Sequence, residues 1–332
     1  MTEALDVIRH CGCAAAVMLL VPGCVLVTGN LNPFTTKPEP LEEHVVSGEG
    51  DAKVLLIDIA KTISGEEEEE PLGVKRHEST TSRIREELER AAKDDHVRAV
   101  VMRINSPGGT VTASDIIFHQ VMEFKAKQRV PVLAHVLDMG TSGAYYVALA
   151  ADEIAASPTS VTGSVGVVMY NVNVTGLMEK IGVGNQTMKA GDRKDLGSPL
   201  RKMTPDERRI LQTVLDQMQE RFVRLVRERR TGLTPDAVRT IADGRIFTAD
   251  QALQLGLVDR IGYLQETIDR AMLRAGVARA RVIMYRRPEE FAENIYSTAS
   301  LRPTQMNLVN FDFGALRMFT PQFLYMWLPN AE

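Results

Sequence analysis

One serine among glycines constrains this chain more than any other feature. The apolar run at residues 132–137 is typical of a buried strand, and the Ala-rich stretch at residues 145–151 is typical of a helix. Between them Ser142 stands beside Gly140 and Gly143. Glycines allow a sharp turn that presents a hydroxyl at a helix N-terminus, where unpaired N–H groups can bind an oxyanion. The stretch therefore fits a displayed nucleophile, and it also fits an ordinary N-cap serine.

Apolar runs alternate with helix-like segments around this turn. Strand-like runs begin at Val54 and Val97, and residues 80–93 between them have helical spacing. This alternation predicts an α/β fold in which parallel βαβ units present their functional loops at the strand C-termini. Residues 105–109 and the Ser142 turn both follow strands. We therefore expect the two turns to lie on the same edge of a parallel sheet with flanking helices.

Several shorter elements follow from local signals. Thr112 or Ser114 is expected to cap the helix after the first glycine turn, and residues 165–169 are expected to form a strand. Thr204 and Glu207 fit a capping box that opens a long amphipathic helix. Short helices are expected at residues 237–241, 249–257 and 264–275, and a strand is expected to begin near residue 282.

Composition excludes several classes of function. The chain has 39 basic and 43 acidic residues and no basic patch with interleaved aromatic residues, so we expect no nucleic-acid partner. All three cysteines lie before residue 25, which leaves the rest of the chain without a thiolate metal site or a cysteine nucleophile. The six histidines are scattered. We therefore expect neither a metal nor a cofactor.

The N-terminus differs from the rest of the chain. Residues 11–28 form an uncharged run that is long enough for a membrane span, although Pro22 and Gly23 interrupt it. We interpret residues 1–29 as an anchor or signal segment, with lipidation at Cys24 as an alternative. A basic residue, Arg9, precedes the run and acidic residues follow it, which favours a cell-membrane protein with an extracytoplasmic body.

The remaining domain boundaries follow from composition. Residues 30–50 are interpreted as a linker, 51–280 as the catalytic domain, and 281–332 as a tail. Glu66 to Glu70 is interpreted as a solvated loop, with a subunit contact left open. The tail is dense in aromatic residues and is expected to pack on the body or on a neighbouring subunit. These residues are Phe311, Phe313, Phe319, Phe323, Tyr325 and Trp327.

A nucleophilic serine needs a base. No histidine follows His135, which excludes the Ser…Asp…His order of α/β-hydrolases. His119 lies in a predicted helix and His135 in a predicted strand, where histidine is more often structural. A lysine can serve when burial lowers its pKa. Lys189 and Lys194 are therefore candidates, and either of them also fits a surface lysine.

Five motifs occur in a recognisable order. They comprise residues 105–109 (NSPGG), 139–146 (MGTSGAYY), 162–166 (TGSVG), the KxGxxKDxxSP segment 189–199, and DGRIFT at 243–248 with residues 252–259. Together they closely resemble the short, single-repeat form of the signal peptide peptidase SppA family. The resemblance covers about residues 54–275 and implies a crotonase-like or Clp-protease-like fold with a Ser/Lys dyad.

The resemblance also implies residue roles. Ser142 would be the nucleophile, Lys194 the general base, and Ser164 the residue that orients Lys194. The backbone N–H groups of Gly108 and Gly143 would form the oxyanion hole. This chain departs from the family pattern at Ala144, where a second glycine is expected, and in its pentaglutamate run.

The resemblance implies a membrane-associated serine endopeptidase that cleaves remnant signal peptides and other short apolar peptides. It implies a homo-oligomer in which neighbouring subunits share each active site. Two alternatives stay open at this point. One is a crotonase-type acyl-CoA hydratase or isomerase, and the other is a non-catalytic membrane scaffold with the same fold.

Overall fold

The structure, a computed structural model, describes residues 39–69, 76–288, 290, 292–297 and 323–327. The anchor or signal segment expected at residues 1–29, and Cys24 within it, lie outside the described residues. Within the described ranges, none of the helices combines the length and the apolar character that a membrane crossing requires.

A mostly parallel sheet forms the centre of the protein. Its main strand order is β1-β13-β2-β5-β7-β8-β12, and β9 extends it by pairing with the end of β7 and with β11. Parallel pairing joins β13 to β2, β2 to β5, β5 to β7 and β7 to β8, whereas β1 runs antiparallel to β13. The strands are β1 Glu42–Gly48, β2 Ala52–Ala60, β5 Val97–Ser106, β7 Val132–Thr141, β8 Glu153–Ala156, β9 Val161–Gly163, β11 Ile246–Thr248, β12 Arg260–Ile261 and β13 Ala280–Arg286.

Two smaller sheets complete the strands. One has the order β10-β14-β6, and the other is the pair β3-β4. These strands are β3 Glu68–Glu69, β4 Arg76–His77, β6 Gly108–Thr110, β10 Val168–Met169 and β14 Phe323–Met326. Part of the glutamate run, interpreted from sequence as a loop, is thus a strand that pairs antiparallel with β4.

Eight helices lie within the described residues. They are α1 Thr80–Ala91, α2 Val111–Gln128, α3 Gly143–Ala148, α4 Thr175–Ile181, α5 Pro205–Arg229, α6 Pro235–Ile241, α7 Ala249–Gln254 and α8 Leu264–Arg274. The capping box expected at Thr204 is present at the start of α5. The α/β class with a parallel sheet and flanking helices is confirmed.

The central strands are buried on both faces. Residues 53–59 of β2 are all buried, and β5 is buried apart from Arg98 and Asn105. A strand covered on both faces needs apolar residues at successive positions, which explains the continuous apolar runs in the sequence. The core therefore fixes the parallel register from which the turns after β5 and β7 emerge.

Local details differ from the sequence predictions. The α2 helix is capped by Thr110, whose hydroxyl accepts from the Ala113 N–H at 3.3 Å, and neither Thr112 nor Ser114 is the cap. The reason is that β6 ends at Thr110 and the helix begins at once. In the stretch 165–169 only Val168 and Met169 form a strand.

The domain boundaries expected at the two ends of the body also differ from the structure. The β1 strand lies within the stretch interpreted as a linker, yet it pairs with β13 in the central sheet. The β13 strand begins at Ala280, so the boundary expected at 280/281 falls inside a strand of the sheet.

A charged network is buried between the sheet and α1. Asp58 is 3% exposed and accepts hydrogen bonds from Arg103 and from Arg286, which are 2% and 0% exposed. Beside them the guanidinium of Arg83 donates to Glu87 at 2.6 Å. Because buried charges are tolerated only when they are paired, Asp58 connects β2 with β5 and β13 through its two arginine partners.

We predict that Asp58→Ala destabilises the protein by about 3–5 kcal/mol, because it leaves two buried arginines short of a counter-charge. The free energy of unfolding, measured by urea titration, checks this. Arg85→Ala is the matched control, because it breaks an exposed pair with Glu89 and should cost about 0.5 kcal/mol or less. Equal costs for the two variants would contradict the role of Asp58.

Candidate active site

Ser142 occupies a sharp turn between β7 and α3. Its φ of 53° and ψ of −116° are unusual for a residue with a side chain. It stands at the N-cap position of α3, but its side chain makes no capping hydrogen bond. The residue is 1% exposed, and its Oγ has no hydrogen-bond partner among the described residues. The N-cap interpretation therefore lacks the hydrogen bond on which it depends.

Pairing between β7 and β9 holds this turn in place. Thr141 lies opposite Gly163 in the parallel register, and the Ser142 N–H donates to the Gly163 carbonyl at 2.7 Å. A non-glycine residue in such a conformation costs about 1–3 kcal/mol and persists only where its surroundings determine it. The β9 strand therefore fixes a serine hydroxyl that has no structural hydrogen bond.

Ser164 directly follows Gly163, the residue whose carbonyl accepts the Ser142 N–H. It is 7% exposed and has a φ of 51°, and its N–H donates to the Arg245 carbonyl at 2.8 Å. The DGRIFT motif at residues 243–248 is thus hydrogen-bonded to the TGSVG motif at residues 162–166. Ser164 is brought to the Ser142 turn through Gly163.

The glycines after β5 form the other wall of the site. The Gly108 N–H, expected from the resemblance to face an oxyanion, donates instead to Ser106 Oγ at 3.1 Å. The Gly108 carbonyl and the Thr110 N–H bond to Ile63 on one side of β6. Because backbone groups alternate along a strand, the Gly109 N–H faces the opposite side, where β14 lies.

Gly143 lies against this wall. A Cβ at Gly143 would lie 3.0 Å from the Tyr325 carbonyl oxygen and 3.1 Å from the Gly109 nitrogen, and it would collide with Ser114 Oγ. A glycine is therefore needed here for close approach. The arrangement brings the backbone of Gly109 and that of Gly143 to the same carbonyl oxygen. The sequence does not show that the N–H groups of Gly108 and Gly109 point to opposite sides of β6.

The C-terminal strand β14 lies beside these glycines. It pairs antiparallel with β6, with Tyr325 opposite Gly109, and its other edge pairs antiparallel with β10. Among the tail aromatics, Tyr325 is fully buried. Phe311, Phe313 and Phe319 lie outside the described residues.

The two candidate lysines differ in their surroundings. Lys189 Nζ is 2.6 Å from Asp195 Oδ1. Lys194 is exposed, and within the described residues its amine makes neither a hydrogen bond nor an ion pair. No contact of this kind joins it to Ser142. The structure of one chain therefore leaves the expected base and the expected nucleophile unpaired with each other.

An ion-pair network anchors the segment that carries Lys194. Arg201 donates to Asp195 at 2.6 Å and to Glu207 at 2.8 Å, and Glu207 also accepts from the Thr204 N–H. Hydrogen bonds from Arg201 and from the Thr204 backbone lower the pKa of Glu207 to about 2. The segment is thereby fixed to the start of α5. No sequence signal indicated that Arg201 joins the Lys194 segment to the capping box.

The candidate histidines are not paired with Ser142. The ring nitrogens of His135 lie 2.8 Å from Thr267 Oγ1 and 3.1 Å from Ser157 Oγ, and the side chain is completely buried. His119 is exposed on α2. The structure thus supports the structural role that the sequence favoured for His135.

Comparisons with known proteins identify the family of this chain. The family model of peptidase family S49 matches residues 124–278, and that of Clp protease matches residues 67–160. A protein from Enterococcus faecium named for the signal peptide peptidase SppA is 30% identical over 277 residues, which cover 81% of this chain and 79% of that protein. The chain belongs to the signal peptide peptidase SppA family of serine proteases.

Other relatives extend the comparison. A protein from Methanocaldococcus jannaschii named as a protease is 38% identical over 198 residues, which cover 60% of this chain and 63% of that protein. Among solved structures, a ClpP1 variant from Listeria monocytogenes has a TM-score of 0.41 at 17% identity and covers 64% of this chain and 92% of that one. Membership of the SppA family and the match to the Clp protease model confirm the expected fold class.

The buried imidazole of His135 predicts a pH dependence of stability. Burial lowers the pKa of His135 to about 4 in the folded protein, against about 6.5 in an unfolded chain. The unfolded state therefore binds more protons below about pH 6.5, and stability falls as the pH falls towards 4. The expected loss from this residue is about 2 kcal/mol between about pH 7.5 and pH 5.

Urea unfolding of the His135→Gln variant at both pH values checks this. The variant should lose that part of the pH dependence, whereas His119→Gln, which alters an exposed histidine, should retain it. The same pH dependence in both variants would contradict the assignment.

Proposed function

We propose that this chain is a serine endopeptidase that uses Ser142 and Lys194 as a catalytic dyad. The observation that carries the proposal is the strained, buried Ser142, whose hydroxyl has no hydrogen-bond partner among the described residues. A hydroxyl that neither caps a helix nor supports the fold is available for chemistry. The Gly109 and Gly143 backbones beside it supply the wall on which a carbonyl oxygen would rest.

The proposed reaction is acyl transfer. Ser142 Oγ attacks a peptide carbonyl carbon while Lys194 Nζ takes the hydroxyl proton, and that proton then goes to the leaving amine as the C–N bond breaks. Water next attacks the acyl-enzyme, which frees Ser142 and the acid product. The N–H groups of Gly109 and Gly143 would stabilise the oxyanion, and one such donor is typically worth about 10²–10³ in rate. Ser164 is proposed to orient the Lys194 amine.

We propose that Ser142 and Lys194 of one site come from different subunits. In one chain the Lys194 side chain is exposed and makes no polar contact with described residues, whereas Ser142 is buried at the end of β7. A lysine acts as a base only after its ammonium loses water. A neighbouring copy that covers the anchored Lys194 segment would exclude that water and provide the serine, so a homo-oligomer is proposed as the active form.

The proposed substrates are cleaved signal peptides and other short apolar peptides at the membrane. An exposed apolar surface near the Lys194 segment supports this, since Leu177, Ile181 and Met188 are 60%, 64% and 96% exposed. A cell-membrane location through residues 1–29, with lipidation of Cys24 as the alternative, stays part of the proposal. The near balance of charge gives no reason to add a nucleic-acid partner.

We predict that Ser142→Ala and Lys194→Ala each lower peptide cleavage at least about 10³-fold, because each removes one member of the dyad. Lys189→Ala is the matched control. Its amine pairs with Asp195, which keeps Arg201 as a partner, so cleavage should stay within about threefold of the unaltered protein. A fluorogenic apolar peptide gives the rates. Full activity in Lys194→Ala would remove the proposed base.

We predict that a mixture of the two inactive variants regains activity after joint reassembly. In a randomly mixed oligomer about a quarter of the sites combine an intact Ser142 with an intact Lys194 from its neighbour. Each variant taken alone through the same procedure is the control. The two variants carry different tags, so that oligomers containing both can be identified. If such oligomers regain no cleavage activity, the proposal of shared sites is contradicted.

A further inference from the structure

A side-chain amide on α5 joins the two segments that surround Ser164. The Nε2 of Gln219 donates to the Val165 carbonyl at 3.1 Å and to the Ala242 carbonyl at 2.7 Å. A glutamine NH₂ group carries two hydrogens, so both hydrogen bonds form at once. Because both partners are acceptors, only this orientation of the amide fits the site. Gln219 therefore connects the TGSVG motif with the segment directly before the DGRIFT motif.

This amide holds the two segments together where their backbone pairing has ended. The ladder of β9 with β11 ends at Gly163, and the Ser164 N–H adds one more bond to the Arg245 carbonyl. Among the described residues, no backbone hydrogen bond joins residues 165–167 to residues 242–244. The amide therefore continues the connection past Ser164.

The conformation of Ser164 needs such support. Its φ of 51° lies in the left-handed region, which a residue with a side chain adopts only where its surroundings determine it. Its N–H bond restrains one side of the residue, and the amide on Val165 restrains the other. Val165 is completely buried, and a Cβ at Gly166 would lie 3.4 Å from the Gly244 Cα. A shift of this closely packed turn would move the Ser164 hydroxyl.

The acceptor end of the same amide is not used. The Oε1 of Gln219 is buried and has no hydrogen-bond partner among the described residues. A buried acceptor without a partner costs free energy, which an apolar side chain of similar size would avoid. The amide therefore stabilises the fold less than its two hydrogen bonds suggest. Such costs are accepted mainly at functional sites.

The helix that carries Gln219 also anchors the segment of the expected base. Glu207, in the first turn of α5, accepts from Arg201, which holds the Lys194 segment. Gln219 lies about three turns further along the same helix. The α5 helix therefore holds both the segment with Lys194 and the turn with Ser164 at fixed positions along one axis.

We infer that Gln219 is a positioning residue for the proposed reaction, because its amide fixes the Ser164 turn and, through it, the hydroxyl that orients the Lys194 amine. The inference rests on the proposed function and adds a residue outside the motifs that carry the family resemblance. Gln219 acts through Ser164 rather than on the substrate, so its loss should slow the chemical step and leave substrate binding almost unchanged.

Gln219→Met tests this in the full chain, because methionine has a similar length and lacks the two donors. We expect kcat for a fluorogenic apolar peptide to fall about 10–100-fold and KM to stay within about threefold, since a small displacement of a positioned group costs about that much in rate. Gln217→Met is the matched control, because Gln217 is exposed on the same helix, and its kcat should stay within about twofold. Both variants should unfold within about 4 °C of the unaltered chain.

A second background separates positioning from a general structural role. In a chain that already carries Ser164→Ala, Gln219→Met should change kcat by less than about twofold, because Gln219 acts only through Ser164. A structural role would instead lower kcat by the same factor in both backgrounds. An equal loss in the two backgrounds, or an unchanged kcat in Gln219→Met alone, would overturn the inference.

Amide hydrogen exchange distinguishes a failure of the inference from a failure of the proposed function. Exchange in the proteolytic fragment that covers residues 161–167 should be at least about tenfold faster in Gln219→Met than in Gln217→Met, with exchange in β5 unchanged. Faster exchange together with full cleavage activity in Ser164→Ala would defeat the proposed role of Ser164 and leave the hydrogen bonds of Gln219 as the support of its turn. Unchanged exchange would overturn the inference.

A second variant covers the case in which Gln219→Met does not fold. Gln219→Glu keeps the length of the side chain and places an oxygen against both carbonyls, so the same loss of kcat and the same faster exchange are expected. Failure of both variants to fold would assign the amide to the stability of the whole chain and would overturn the inference.

Discussion

The hydrogen bond from the Ser142 N–H to the Gly163 carbonyl is the constraint on which the site depends. It closes the parallel pairing of β7 with β9 and holds a residue at a φ of 53° that would otherwise relax. The same short strand continues into Ser164, which bonds to the Arg245 carbonyl. One backbone contact thus positions the expected nucleophile and its neighbour, while the Ser142 hydroxyl is left without a structural partner.

The central sheet brings the second wall to this point. Strands β5 and β7 are parallel neighbours, and Ser106 lies opposite Gly140 at their carboxyl ends. The turns that follow must therefore emerge side by side, which is the usual location of sites in parallel sheets. Buried apolar side chains fix this register over several residues, and the glycines allow the two backbones to approach closely.

The sequence predicted the parts that depend on local signals. Apolar runs located the central strands, and the Thr204 capping box located the start of α5. It did not predict that the Gly108 N–H bonds to Ser106, because the direction of a backbone group depends on which edge of β6 is already paired. It placed β1 in a linker because that stretch is polar and lacks an apolar run, and only the pairing with β13 shows that it forms the edge strand of the sheet.

The short strands β6 and β10 each have an edge that the fold has to protect. Two short strands with unpaired edges attract any extended chain, and natural proteins protect such edges. Here the chain's own C-terminal strand supplies the missing hydrogen bonds. Side-chain contacts hold that strand as well, because the Tyr325 hydroxyl donates to the Met218 carbonyl and its ring packs against the rings of Tyr146 and Phe222.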